Sequence, residues 1–181
     1  MIHWFRHLPY KSMDEPEWRP FIQNAWFREH YMKFVYLIMA ILLLVPMAFK
    51  AGFVFVEKVP IIPIIVLVFI IHEAIHIFVI YTKGDISLTF KGIFFWLHTN
   101  AALSKTRFWL FMSLPFILLS VVPGVAALFV SGTTQSLLLF ICWINFIISS
   151  SDVINSFLIL IKPNRAVFCN GKYRVTEISR K

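Results

Sequence analysis

Charge is scarce in this 181-residue sequence: Asp, Glu, Lys and Arg together make up 14% of it, against 59% hydrophobic residues. A soluble domain carries about 25% charged and about 45–50% apolar residues, so this composition excludes a water-soluble globular enzyme and a disordered chain alike. Cysteine is nearly absent. Cys142 lies in an apolar run and Cys169 in a polar tail, without CxxC spacing, which excludes a disulfide scaffold and fits a reducing cytoplasm or no redox role. There is no internal repeat and no low-complexity tract. The first 33 residues mix charges, prolines and aromatics and show no compact apolar leader.

What the chain has in abundance is apolar surface. Twenty Phe and six Trp would leave too much of it exposed on so small a soluble domain, so lipid is the expected solvent. Four stretches are long enough to cross roughly 30 Å of hydrocarbon. They are Phe34–Phe49 (extendable through Gly52–Val56), Ile61–Tyr81, Phe108–Val130 and Gln135–Ile161. Within lipid each must be a helix, because every backbone group has to be paired internally. The expected fold is an all-α membrane protein, a bundle of about four transmembrane helices. Residues 1–33 read as a cytoplasmic or interfacial segment, with Trp4, Trp18, Trp26 and Tyr31 as an aromatic belt or amphipathic helix. Residues 34–161 read as the four-span core and 162–181 as a basic cytoplasmic tail. Between spans two and three, Ile86, Leu88 and Phe90 alternate with Ser87, Thr89 and Lys91 ahead of Gly92 and Ile93–Leu97. That pattern predicts a short interfacial β-hairpin turning near Lys91–Gly92, with a re-entrant segment as the competing reading. Pro115 and Pro123 are expected to kink and shape span three.

The net charge of +8 becomes informative once sorted by position. The N-terminal segment, the loop after span two and the C-terminal tail hold five, four and six Lys and Arg, 15 in all, against Lys50 and Lys58 on the other side. Both termini are therefore expected in the cytoplasm. The basic surplus is an orientation signal, and nucleic acid drops out as a partner.

Within the four spans the ionisable residues are His72, Glu73, His76 and Asp152. Each such group costs about 2.5–3.5 kcal/mol at mid-membrane, which makes it a functional candidate. Three of them form His72-Glu73-Ala74-Ile75-His76, an HExxH sequence. Histidines at i and i+4 project from one helix face, so both imidazoles can reach one Zn²⁺, with the intervening Glu73 placed as general base. A catalytic zinc takes three protein ligands, and Asp152 is the candidate third. His72 lies nine residues before Tyr81 and Asp152 nine before Ile161, so both sit at one depth, roughly 13 Å from the cytoplasmic face. Asn145, Ser149, Asp152 and Ser156 follow i, i+4, i+7, i+11, one polar stripe of a helix facing the bundle interior. The bland alternative is a pair of hydrogen-bonded interior histidines with a buried Glu, and an interhelical hydrogen bond or salt bridge for Asp152. Asn145 is a candidate for binding substrate or stabilising a tetrahedral intermediate, and equally for packing helices together. His98 reads as interfacial. No Ser-His-Asp or Gly-x-Ser-x-Gly arrangement lies in the spans, which argues against a serine protease.

Taken with Leu103-Ser104-Lys105-Thr106-Arg107-Phe108, Leu114-Pro115-Phe116, Asn145 and Ser150-Ser151-Asp152-Val153, the HExxH helix resembles the intramembrane zinc metalloproteases of the site-two protease class. Within that class the resemblance is strongest to a bacterial group described as "putative zincin peptidases", and it extends from span two through span four. It implies His72, His76 and Asp152 as zinc ligands and Glu73 as the base. It also implies a multi-pass protein of the bacterial cell membrane, acting on a membrane protein or membrane-bound peptide near the cytoplasmic face. One departure is that Val153 follows Asp152, where the class usually has Gly. Two rival readings use the same residues: a divalent metal-ion transporter, and a non-catalytic zinc-binding membrane protein.

Overall fold

Apolar runs of this length fold as helices, since only then does each backbone group find its partner within the segment. In the computed structural model, which describes residues 2–4, 17–48, 60–91 and 94–176, six helices form: α1 (Ala25–Ala48), α2 (Ile61–Ile80), α3 (Lys105–Phe116), α4 (Val122–Ala126), α5 (Gly132–Ile148) and α6 (Ser150–Leu160). A π-helical turn at Ile117–Val121 joins α3 to α4, so that Lys105–Phe129 makes one apolar rod. Three helical segments, Ala25–Pro46, Ile61–Ile80 and Lys105–Phe129, are long and apolar enough to cross a membrane. The count becomes four if the bent pair α5–α6 is one span.

The first and fourth apolar stretches depart most from the expected spans. The first helix starts at Ala25, well ahead of Phe34, because Asn24 caps it: Phe27 N–H donates to Asn24 Oδ1 at 2.9 Å. The expected extension through Gly52–Val56 lies outside the described residues. The fourth apolar stretch is not one straight helix. It breaks at Ser149, and the two halves meet at 65°. Ser150, the middle one of three consecutive serines, supplies the reason. Ser150 Oγ donates to the carbonyls of Ile147 (2.8 Å) and Phe146 (3.3 Å), competing for acceptors that a continuous helix gives to backbone N–H groups. The expected straight polar stripe is therefore divided, and Asp152 falls in the first turn of α6, where the helix dipole favours an acid.

The hairpin between α2 and α3 consists of β3 (Ile86–Lys91) and β4 (Phe94–Thr99), antiparallel from Ile86↔Thr99 to Lys91↔Phe94. The short β1 (Ile2–Trp4) adds in parallel to β3, which leaves β4 at the edge among the described residues. The hairpin base is stapled. Asp85 N–H donates to Asn100 Oδ1 at 3.0 Å, and a Cβ on Gly84 would stand 2.8 Å from that same oxygen and 3.0 Å from Ala101 Cβ, so a larger residue there would push against this contact.

A second sheet is absent from the sequence reading, which takes 162–181 as a tail. β6 (Ala166–Cys169) and β7 (Lys172–Val175) form a hairpin, extended by β5 (Leu103–Ser104) on one side and β2 (Arg19–Pro20) on the other. Its two-residue turn is Asn170-Gly171, with φ of 44° and 70°, the conformation that an Asn-Gly pair adopts most readily. Phe108 packs against both apolar clusters of this region. One is Ile80, Ile86, Ala101, Leu103 and Phe111; the other is Ile159, Ala166, Phe168 and Tyr173. The sheet is thereby tied to the ends of α2, α3 and α6. Lys105 Nζ donates to the carbonyls of Leu160 (2.9 Å) and Lys162 (2.5 Å), closing the C-terminus of α6 with a positive charge. The Lys162 amine lies 4.7 Å from the Tyr173 ring centroid and 5.7 Å from that of Phe21, and burial holds it below the usual lysine range.

Candidate metal centre

The buried residues of α2 are Val68, His72, His76 and Ile80, a strict i, i+4 row, while Ile62 and Phe78 on other faces are exposed. Helical period alone thus turns both histidines inward. Asp152 meets them from the first turn of α6. His72 Nε2 lies 3.1 Å from Asp152 Oδ2, His76 Nε2 lies 3.3 Å from the same oxygen, and the two Nε2 atoms are 3.1 Å apart. The side chains expected at one depth do come together, and they are buried.

Neighbouring groups decide which nitrogens carry protons. Asn145 Nδ2 faces Pro115 O (3.3 Å) and Ser120 Oγ (2.8 Å); a carbonyl only accepts, so the amide nitrogen must point there. Asn145 Oδ1 is then left toward His72 Nδ1 at 2.9 Å, and that nitrogen must donate. His76 Nδ1 faces the Phe111 carbonyl at 2.7 Å and must donate as well. Each imidazole, when neutral, therefore presents a bare Nε2 lone pair to the other and to a carboxylate oxygen. Three acceptors within 3.3 Å of one another call for a shared cation. Tetrahedral zinc with bonds of about 2.0–2.2 Å spaces its ligand atoms by about 3.3–3.6 Å. The donor set, its spacing and the hydrogen-bonded far side of each ring all fit such an ion. His72, His76 and Asp152 are the cluster among the described residues that could hold one.

Glu73 follows His72 on the same turn, half-buried, and interacts electrostatically with His72, His76 and Asp152. Asn145, a candidate for binding substrate, is instead 0% exposed, and both ends of its amide are engaged. The amide oxygen faces His72, and the amide nitrogen faces α3 and the π-helical turn that follows it. His98 lies in β4, and its side chain is outside the described ones. Two contributors were not anticipated from the sequence. Tyr31, on α1, places its hydroxyl 3.1 Å from Ser151 O and 3.0 Å from Asn155 Oδ1, bracing the turn that carries Asp152. The other is the Phe111 carbonyl, a backbone atom whose signal in the sequence is Pro115, four residues on, which has no N–H to give it.

One family model, described as "Putative zincin peptidase", matches residues 65–167, more than half of the chain. That stretch runs from α2 to the start of β6 and includes all three candidate ligands, Glu73 and Asn145. Neither the curated proteins nor the solved structures give a match.

Proposed function

The chain belongs to the "Putative zincin peptidase" family, and on that premise we propose that it is an intramembrane zinc endopeptidase of the site-two protease type. The observation that carries this reading is the buried triangle of His72 Nε2, His76 Nε2 and Asp152 Oδ2, with edges of 3.1–3.3 Å on apolar helices. His72 and His76 hold the ion from α2 and Asp152 from α6. Zinc, when bound, supplies Lewis acidity toward the scissile carbonyl and toward water. Glu73 takes the proton of the attacking water and returns it to the leaving amine. Asn145 and the Phe111 carbonyl keep both imidazoles in the donating-Nδ1 form throughout.

The substrate is a transmembrane helix or its cytoplasmic flank. Its carbonyls are hidden in i→i−4 bonds, so it must unwind before water can attack. Strand β4 has a partner on one side only among the described residues, and its free edge suits an unwound segment pairing by strand addition. Buried hydroxyls of Ser149 and Ser156 lack a partner among the described residues, as groups lining a water path would. The 15-to-2 division of Lys and Arg supports cytoplasmic termini, which puts the triangle nearer the cytoplasmic face.

Zinc content and hydrolysis of single-span peptides in proteoliposomes test this proposal together. Wild-type protein and Glu73→Gln should both carry stoichiometric zinc, with cleavage falling by about 100- to 10,000-fold in the variant. His76→Ala should lose the metal. A wild type purified without chelators that holds no zinc, or a Glu73→Gln variant that still cleaves, overturns the assignment.

A further inference from the structure

A proline inside a helix has no N–H to give, and its ring presses on the carbonyl four residues earlier, which is turned out of the helix without its regular donor. Pro115 lies inside α3, and the residue four before it is Phe111. The freed carbonyl is the one that meets His76 Nδ1 at 2.7 Å. Pro115 is itself fully buried, and its own carbonyl accepts from Asn145 Nδ2 at 3.3 Å. The same Asn145 accepts from His72 Nδ1. One residue thus stands behind the supports of both histidines.

The same device occurs a second time in the fold. Pro46 lies inside α1, and the residue four before it is Leu42, whose carbonyl accepts the Trp143 indole N–H at 2.7 Å. In each case the carbonyl released by a proline meets a ring nitrogen on a neighbouring helix. Beyond shaping its span, Pro115 thus stands behind a hydrogen bond to each histidine's support.

We propose that Pro115 is a positioning residue of the metal centre: by withholding its N–H it dedicates the Phe111 carbonyl to His76 Nδ1 and so aims His76 Nε2 at His72 and Asp152. An N–H at position 115 would draw that carbonyl back toward the helix axis and compete for it. The consequence for zinc affinity rests on the peptidase reading above, whereas the hydrogen bond to His76 does not.

The test compares full-length protein in micelles carrying Pro, Ala or lactic acid at position 115. Lactic acid has the shape of alanine but, as an ester, lacks the N–H just as proline does. The first readout is the Nδ1-bound proton of His76 in metal-free protein labelled with 15N-histidine. The second is zinc affinity by chelator competition. Wild type should show a downfield, slowly exchanging Nδ1 proton. Pro115→Ala should lose that protection and bind zinc about 10- to 100-fold more weakly; the lactic acid variant should recover most of both. Pro123→Ala, in the same rod, should change neither readout. An unprotected His76 proton in wild type overturns the proposal without any variant. So does an unchanged Pro115→Ala, or a lactic acid variant as impaired as alanine, which would make the ring and not the missing N–H responsible. If the proton readout follows this pattern while no variant binds zinc, the positioning role stands and the peptidase reading falls.

Discussion

Replacing Asn145 with Ala removes three hydrogen bonds from a side chain that is 0% exposed: those with His72 Nδ1, Pro115 O and Ser120 Oγ. At about 1 kcal/mol net for each, the bonds account for about 3 kcal/mol. The His72 N–H is then left buried without an acceptor, which adds about 1–3 kcal/mol. The expected loss of about 4–6 kcal/mol is a large part of the total stability of about 5–15 kcal/mol typical of a folded chain. The ring of His72 is also freed to turn, and loss of such an orienting partner costs about 10- to 100-fold in metal affinity. Asn145→Asp, which keeps an acceptor for His72 but no donor for Pro115 O, should fall between the two. Thermal unfolding in micelles at fixed detergent measures the first effect, and chelator competition the second. The reasoning fails if Asn145→Ala leaves stability and zinc affinity at wild-type levels while KM for a cleaved peptide rises. That pattern would mean the carboxamide faces the substrate and not His72.

Tyr31→Phe removes one hydroxyl shared between Ser151 O and Asn155 Oδ1. It should cost about 1 kcal/mol and lower Tm by about 2–4 °C; an unchanged Tm would show that α1 does not brace the turn bearing Asp152. Lys162 supplies a pH dependence. Burial holds its amine below the ordinary lysine value, so below that value the unfolded chain binds the extra proton and the native state is the poorer for it. The stability linked to Lys162 is therefore complete above the ordinary value of 10.5 and declines as pH falls through the lower native value. Lys162→Met should flatten this segment of the stability–pH curve, and a slope identical to wild type would refute the assignment.

The convergence of His72, His76 and Asp152 was largely legible in the sequence because its rules are local. A four-residue spacing places His72 and His76 on one helix face, and hydropathy marks Asp152 as a charge that lipid should exclude. The second sheet was legible too, in Asn170-Gly171, but its two four-residue strands are too short to register among long apolar runs. The break at Ser149 had its signal in three adjacent serines. Hydropathy averages over such a triplet, and the competition of the Ser150 hydroxyl for carbonyls does not register in it.

Asn145 is the opposite case. Its polarity and place in the stripe announced a role, but substrate binder and helix packer look alike until the groups around the amide are known. Those groups lie far along the chain. The contact between Asn145 and His72 spans 73 residues, that between His72 and Asp152 spans 80, and that between His76 and Phe111 spans 35. By itself the sequence determined which side chains would be driven to the inside of which helix, because periodicity and hydropathy are properties of a segment. Only the tertiary structure decided which nitrogen of each imidazole donates and which is left bare, because a tautomer is set by whatever atom the fold brings against the ring.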